Sequence, residues 1–370
     1  MRRAVIVAAW LSVVAVLAPV ASALGAEAPT SPPTTTVHRK NLAREDRCLH
    51  AQDATARVWR CSLLLNGTPP APADAAAYHL SRGYAFLAFG WQDAALHDFA
   101  KTLELAPGTI EAHQVRAQLY RRRQAYDLAA QEITSLIAVS PQDPLLFVER
   151  AAVLSYAGDF NLAIADATNA IAMAESYEPI ADFYLQRARI YELAGRYDEA
   201  LKDAGTARAR NGDAARAREA EGRLLYLTGD WQGAKAALED AIALGAGPYA
   251  PLWLDLAELR LNRSDALPAG QTTQDRLWPT PIESVLEGRK TVSEIAPFPW
   301  SLDRDAAQAA ARKRCDAFFF AGEGALARGQ SDAARALFAK AEETGARDVL
   351  AYGAAKARLR LTASAGRPVP

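Results

Sequence analysis

The sequence is poor in the residue types that form most reactive sites. Its 370 residues include five histidines, three cysteines and two methionines. The histidines are scattered through the N-terminal third without the spacing of metal ligands. No Gly-x-Ser-x-Gly motif is present, and the glycine-rich stretch GEGALARG at 322–329 lacks the lysine of a phosphate-binding loop. We therefore predict a protein that is not an enzyme and that uses no metal, cofactor or small-molecule substrate.

The sequence also lacks a large excess of charge of either sign. It contains 42 basic and 43 acidic residues, which give a formal net charge of −1. Nucleic acids and anionic membrane surfaces select strongly basic surfaces, so a balanced chain gives no reason to expect either partner. The run Arg121–Arg123 and the mixed stretch at 207–223 are interpreted as solvated helix faces.

A long apolar run occurs at the N-terminus. Arg2 and Arg3 precede an uncharged apolar stretch at 4–20, and the small residues ASA follow at 21–23. This order predicts a secretory signal peptide over 1–23, followed by a disordered linker over 24–40, and hence a periplasmic protein. An uncleaved membrane anchor is the alternative, because the uncharged stretch is close to the roughly 20 residues that span a bilayer.

Glycine and proline are sparse inside the long segments, whereas alanine, leucine and arginine are abundant, which predicts an all-α protein. Within these segments one spacing recurs: a glycine followed five residues later by an alanine, with a small residue seven positions before the glycine. The glycine–alanine pairs are Gly90/Ala95, Gly158/Ala163, Gly195/Ala200, Gly229/Ala234 and Gly329/Ala334, and the preceding small residues are Gly83, Ala151, Ala188, Gly222 and Gly322. A sixth unit has Ala117 and Ala129, with Gln124 in place of the glycine.

The spacing has a direct physical interpretation as helical hairpins. Two antiparallel helices approach closely only where their side chains are small, and a glycine supplies the left-handed backbone that ends the first helix. Tyr191 and Tyr197 then occupy interior packing positions. The period is 34 residues from Gly195 to Gly229, and the pattern over about 41–362 resembles the tetratricopeptide repeat family. The resemblance implies a right-handed superhelical solenoid.

The predicted organisation follows the regularity of this period. We expect a degenerate N-terminal hairpin at 41–70, a solenoid at 71–262, an irregular insertion with one short helix at 263–300, a C-terminal repeat with a capping helix at 301–362, and a tail at 363–370.

Two of the three cysteines fall in the degenerate hairpin. One period before Ala95 lies Cys61, at the small position of a second helix, and the same register places Cys48 on the first helix, facing inward. In an exported protein this pair is predicted to form a disulfide, with two reduced core thiols as the alternative. Cys315 is predicted to be a buried free thiol.

The C-terminal half has a narrower resemblance, carried by LWLDLAELR, WPTPIESVLEGRKTVSEI and the segment that begins RCDAFFFAGEGALARG. These stretches are similar to bacterial envelope proteins of the NlpI type, which are lipoproteins that bind peptidoglycan endopeptidases and a periplasmic protease as adaptors. A lipoprotein needs a cysteine directly after its signal peptide, whereas the first cysteine here is Cys48, so the lipid anchor does not transfer.

In such solenoids the first helix of each hairpin lines a concave groove, which is expected to hold an extended peptide or a partner helix. The predicted groove residues are Gln114, Gln118, Arg121, Ser155, Arg189, Glu192, Arg223 and Tyr226, with Val148, Ala152, Leu185 and Glu219 beside them. The predicted function is a non-enzymatic adaptor, with an envelope hydrolase or protease as the candidate partner. A self-associating structural solenoid, for example a homodimer, is the alternative.

Overall fold

The computed structural model describes residues 48–364, apart from 52, 175–179, 211–212, 263–277, 280 and 297–303. The predicted signal peptide at 1–23, the predicted linker at 24–40 and the last six residues lie outside the described residues, as does much of the predicted insertion. Within the described residues all regular secondary structure is helical, which confirms the predicted all-α solenoid of helix hairpins.

Seventeen helices are defined in the described part of the chain. They are α1 (Ala54–Leu65), α2 (Pro72–Ala88), α3 (Gln92–Leu105), α4 (Ile110–Arg122), α5 (Tyr126–Val139), α6 (Pro144–Ala157), α7 (Phe160–Met173), α8 (Ile180–Leu193), α9 (Tyr197–Ala209), α10 (Ala214–Thr228), α11 (Trp231–Ala243), α12 (Ala250–Asn262), α13 (Pro281–Leu286), α14 (Val292–Ile295), α15 (Arg304–Ala327), α16 (Ser331–Glu343) and α17 (Leu350–Ser364). Five consecutive pairs, α2–α3 to α10–α11, form hairpins 1 to 5, and α15 pairs with α16 in the same way.

Each hairpin closes where a small residue of the first helix meets a residue of the second helix sixteen positions later. A Cβ atom added to Gly83 would lie 2.8 Å from the Phe99 ring, and one added to Gly322 would lie 2.5 Å from the Phe338 ring. Phe99 and Phe338 are both fully buried. Glycine is therefore used in these hairpins because a large side chain of the second helix fills the space of its missing Cβ.

The turns between paired helices use left-handed backbone, as predicted. Gly158 has φ 100° and Gly229 has φ 93°, and both follow directly on the last residue of a first helix. In hairpin 2 the same place is held by Gln124, which has φ 57°. The structure thus confirms that Gln124 replaces the turn glycine, at the cost of a conformation that side chains disfavour.

The N-terminal end of the described chain is tied to hairpin 1. Cys48 and Cys61 form a disulfide with a Cα–Cα distance of 5.0 Å, and both residues are buried against Tyr78 of α2. Cys315 is a buried free thiol on α15. This pattern of bonded and free cysteines is the predicted one.

The irregular region differs from the prediction of one short helix. The described part of it contains two helices, α13 and α14, separated by a turn. Gly288, with φ 73°, follows α13 in that turn. Thr291 then begins α14 with a capping box, in which the Thr291 backbone N–H donates to Glu294 Oε2 at 2.7 Å.

The last three helices do not continue the solenoid outward but turn back onto it. α15 packs against α12, and α17 packs against α15, α16 and α8. The backbones of α17 and α8 come close, since a Cβ on Gly353 would lie 2.8 Å from the Leu193 side chain and 3.4 Å from Leu193 Cα. Near the N-terminal end of α15, the Gln308 side-chain amide donates to the Arg122 carbonyl, so the C-terminal region also contacts hairpin 2. The C-terminal helices therefore pack against hairpin 4 and touch the end of α4 in hairpin 2.

Candidate partner-binding surface

The concave surface is open at hairpin 2, where α4 presents three of the predicted groove residues. Gln114, Gln118 and Arg121 are all exposed on α4. Arg121 lies near Glu149 of α6, whose pKa is raised by burial, while the positive charge of Arg121 opposes that rise. This end of the groove thus offers two amides and a cation to solvent.

The groove is covered from α6 onward. Ser155 is buried, and its hydroxyl donates to the Ala152 carbonyl at 2.7 Å. Arg189 Nη2 donates to the main-chain carbonyl of Asp348 at 2.8 Å, and its guanidinium lies 5.9 Å from the centroid of the Tyr156 ring. The residue opposite Arg189 therefore belongs to this chain's own segment between α16 and α17.

Glu192 and Arg223 form an ion pair across neighbouring first helices. Arg223 Nε and Nη2 donate to the two Glu192 oxygens at 2.8 and 2.9 Å. The Arg223 side chain is 12% exposed and that of Glu192 is 4% exposed, so this bidentate ion pair is shielded from solvent. Glu192 and Arg223 therefore bond to each other and are not free groups for the predicted partner-binding groove.

Tyr226 is not a groove residue in this fold. Its side chain has no exposed surface, and its hydroxyl donates to Glu323 Oε2 of α15 at 2.9 Å. Glu323 is also fully buried and accepts from Arg358 Nε of α17 at 2.7 Å, with Arg260 Nη2 of α12 3.6 Å away. Burial raises the pKa of Tyr226, and the Glu323 charge raises it further. The four side chains form a buried cluster, which we call the Glu323 cluster, that joins α10 and α12 to α15 and α17.

The covering has a physical cause that the repeat pattern does not contain. Repeat spacing specifies which residues of a first helix face inward, but not what later part of the chain reaches that face. The irregular region after α12 reverses the direction of growth, so α15 and α17 cover inward-facing residues that would otherwise meet solvent.

Two small cavities remain between the groove and its cover. One has a volume of about 170 Å³ and is lined by Leu185, Arg189 and Glu219 among others, and the second, of about 220 Å³, is lined by Trp253, Phe319 and Asp316 among others. Burial raises the pKa of Asp316 to about 6, although hydrogen bonds from Tyr249 and Trp278 oppose this. Both volumes fall below the roughly 300 Å³ at which ligand pockets begin, so neither cavity accommodates an extended peptide.

A repeated ion pair was missed by the sequence analysis. Arg82, Arg150 and Arg187 each donate through Nε and Nη2 to an aspartate sixteen residues later, with distances of 2.7 and 2.8 Å in all three cases. The aspartates are Asp98, Asp166 and Asp203, all buried. The third nitrogen, Nη1, donates to a hydroxyl of the preceding second helix: Ser62, Thr134 or Thr168.

This arginine ladder links hairpins 1, 3 and 4 each to the second helix before it. The signal in the sequence is an arginine directly before the small residue, with an aspartate sixteen positions on. Hairpin 2 carries a variant in which Glu132 replaces the aspartate, and it contacts Arg116 at 2.9 Å and His113 Nδ1 at 2.7 Å.

The 34-residue period, the hairpin contacts and one relative agree on the type of repeat. A stretch of 135 residues is 29% identical to human Tetratricopeptide repeat protein 13, covering 35% of this chain and 15% of that protein. The helix hairpins of this chain are of the tetratricopeptide type. No protein-family model matches it. The chain spans 15% of the length of the human protein that it matches.

Solved structures show a looser likeness. The crystal structure of MamA protein has a TM-score of 0.41 and 17% identity, over 46% of this chain and 92% of that one. The crystal structure of YrrB, described as a tetratricopeptide protein with an unusual peptide-binding site, has a TM-score of 0.39 and 19% identity, over 48% of this chain and 90% of that one. At these scores the likeness carries no argument about function.

The described residues contain neither a candidate metal site nor a candidate membrane span. There, no group of three or more His, Cys, Asp or Glu side chains is arranged to hold a metal ion. None of the helices defined in those same ranges is both long and apolar enough to cross a membrane.

Proposed function

We propose that the protein is a non-enzymatic adaptor that binds a partner protein or peptide on the open part of its concave face, at hairpins 1 and 2. The observation that carries the proposal is the contrast along the groove. Gln114, Gln118 and Arg121 are exposed on α4, whereas Ser155 and Tyr226 are buried. Tetratricopeptide solenoids commonly present such first-helix residues to protein partners.

The chemistry of the open part fits a peptide with apolar and acidic side chains. One period before the three exposed residues of α4 lie Leu80, Tyr84 and Leu87, which are half-buried on α2 and offer apolar area. The amides of Gln114 and Gln118 can donate to and accept from a peptide backbone, and Arg121 can pair with a carboxylate. An extended strand or an amphipathic helix satisfies both requirements.

The cellular setting is a further part of the proposal. The leader-like stretch at 1–23 supports export to the periplasm, and the resemblance of the C-terminal half to NlpI-type proteins supports an envelope hydrolase or protease as the partner. Mass spectrometry of the exported protein should find an N-terminus between residues 24 and 29. An intact Met1 in a membrane pellet would support the anchored form instead.

The binding surface is tested by affinity capture from envelope extract with charge-changed variants. Arg121→Glu combined with Gln118→Ala should reduce capture of the partner at least tenfold, because the cation and one amide of the open groove are lost. Lys202→Glu, an exposed change on the outer helix α9, serves as the matched control. Undiminished capture by the Arg121 variant would show that the partner binds elsewhere.

A further inference from the structure

The outer surface of the solenoid has one region that is almost free of charge. It is formed by α5 and α7, the second helices of hairpins 2 and 3. The single charged residue of α7, Asp166, is buried and paired with Arg150, and on α5 only Asp127 carries an exposed charge. Leu128, Val139, Leu162 and Met173 are exposed on these helices, Leu162 to 60%.

The four apolar residues occupy equivalent positions in the two hairpins. Leu128 and Leu162 are one 34-residue period apart, as are Val139 and Met173. Within a helix the two residues are eleven positions apart, about three turns, so they lie on the same side. The helix faces between them carry uncharged residues such as Ala165 and Asn169, both exposed. We call this surface of α5 and α7 the neutral face.

The space between α5 and α7 is neutral as well. The Arg150 guanidinium bridges Thr134 of α5 and Asp166 of α7, so its charge is balanced within the surface. The other outer helices differ: α3 exposes Asp93 and Glu104, and α9 exposes Asp198 and Lys202. Apolar patches of about 300–600 Å² occur even on monomers and are often functional.

We propose that the neutral face is where two copies of this chain pair. In a two-fold pairing each face meets an identical one, and a face whose helices expose a single charge, Asp127, can do so with few opposed like charges. A charged partner would lose the hydration of its charges here and find no complementary charge in return. Pairing on the outer surface leaves the concave face free, so it is independent of the proposed function.

The size of the neutral face sets the strength of the pairing. Each helix has 14 residues, hence a length of about 21 Å and a width of about 10 Å. Two such helices bury on the order of 400 Å² per copy, or about 800 Å² in total, below the 1,200 Å² of a standard interface. The dimer should therefore be weak and reversible, with half-association at micromolar concentration or above.

Sedimentation equilibrium of the protein as the cell produces it, over about 1–200 μM, tests the proposal. We expect a reversible monomer–dimer equilibrium that changes little between 50 and 500 mM salt, because no ion pairs form. Leu162→Glu should weaken association at least tenfold while leaving helicity unchanged, because the side chain is exposed. Lys202→Glu, which adds an acid at the position equivalent to Ala165 one hairpin along, should leave association unchanged.

Each other outcome would overturn the proposal. A protein that stays monomeric throughout the range does not pair, and a dimer that survives Leu162→Glu pairs through another surface. Equal weakening by Leu162→Glu and Lys202→Glu, or strong dependence on salt, would show that net charge and not the neutral face controls association. A monomer that binds lipid vesicles or another protein, and loses that binding on Leu162→Glu, would assign the face to a different occupant.

Discussion

Removing Asp203 tests whether the arginine ladder stabilises the solenoid or merely accompanies it. The Asp203 side chain is 6% exposed and that of Arg187 is 16% exposed, so the pair is largely shielded from water. In Asp203→Ala the guanidinium keeps Thr168 Oγ1 at 3.0 Å but loses both carboxylate oxygens of its charged partner. Breaking a buried pair costs about 3–5 kcal/mol, and the residual exposure of Arg187 reduces this, so we expect a loss of about 2–3 kcal/mol.

A surface pair on the same helix provides the control. Arg196, the residue directly before α9, bonds to Glu199 in the first turn, but their side chains are 45% and 43% exposed. Such pairs contribute little because water competes for both partners, so Glu199→Ala should leave stability unchanged within error.

The assay is urea unfolding followed by circular dichroism, with hydrogen exchange of α8 and α9 to locate the loss, since repeat arrays can unfold in parts. Arg187→Ala added to Asp203→Ala should restore part of the stability, because it removes the unpaired charge. The reasoning is refuted if Asp203→Ala costs no more than Glu199→Ala, or if the effects of Asp203→Ala and Arg187→Ala simply add.

Three further results are expected. Gly222→Ala should cost about 1–3 kcal/mol in urea unfolding, because its Cβ would lie 2.5 Å from Leu238 Cγ, whereas Gly205→Ala, with its nearest contact at 3.6 Å, should stabilise by about 0.5–1 kcal/mol. Burial, and then nearby glutamates, raise the pKa of Asp255 to about 7. The stability gained from neutral Asp255 is fully present below about pH 4 and is lost as the pH rises through 7. Asp255→Asn, which stays neutral, should therefore unfold at a higher urea concentration than the natural protein at pH 8 and at the same concentration at pH 4. Equal unfolding curves at pH 8 would contradict this. Reduction of the 13-residue loop between Cys48 and Cys61 should cost about 3 kcal/mol and speed hydrogen exchange in α1 first, and an unchanged rate there would count against the disulfide as a local constraint.

The repeats themselves could be predicted from sequence because their packing is local. Gly83 contacts Phe99 within one hairpin, and such contacts need only a fixed spacing along the chain. Even the exception at Gln124 is visible as a missing glycine, because the other positions of that unit keep their register.

The covering of the groove could not be predicted, because it depends on contacts between distant parts of the chain. Arg189 and Asp348 are 159 positions apart, and no periodicity relates them. Tyr226 illustrates the consequence: its position in the repeat faces inward, but Glu323 arrives from another hairpin to bury it. A residue of the open groove and a residue of a core thus have the same local sequence signature.

Because α17 packs against α8, this part of the repeats is not an open array. An open array of repeats can gain or lose a unit at little cost, because each unit touches only its neighbours. Here the contact of Gly353 with Leu193 requires a fixed number of units between α8 and α17. Deleting or duplicating one hairpin in that interval would move α8 and α17 out of register and break their contact. The number of hairpins in this part of the chain is therefore fixed by the fold. The same long-range contacts raise the mean sequence separation, and the closed part should consequently fold more slowly than an open array of the same repeats.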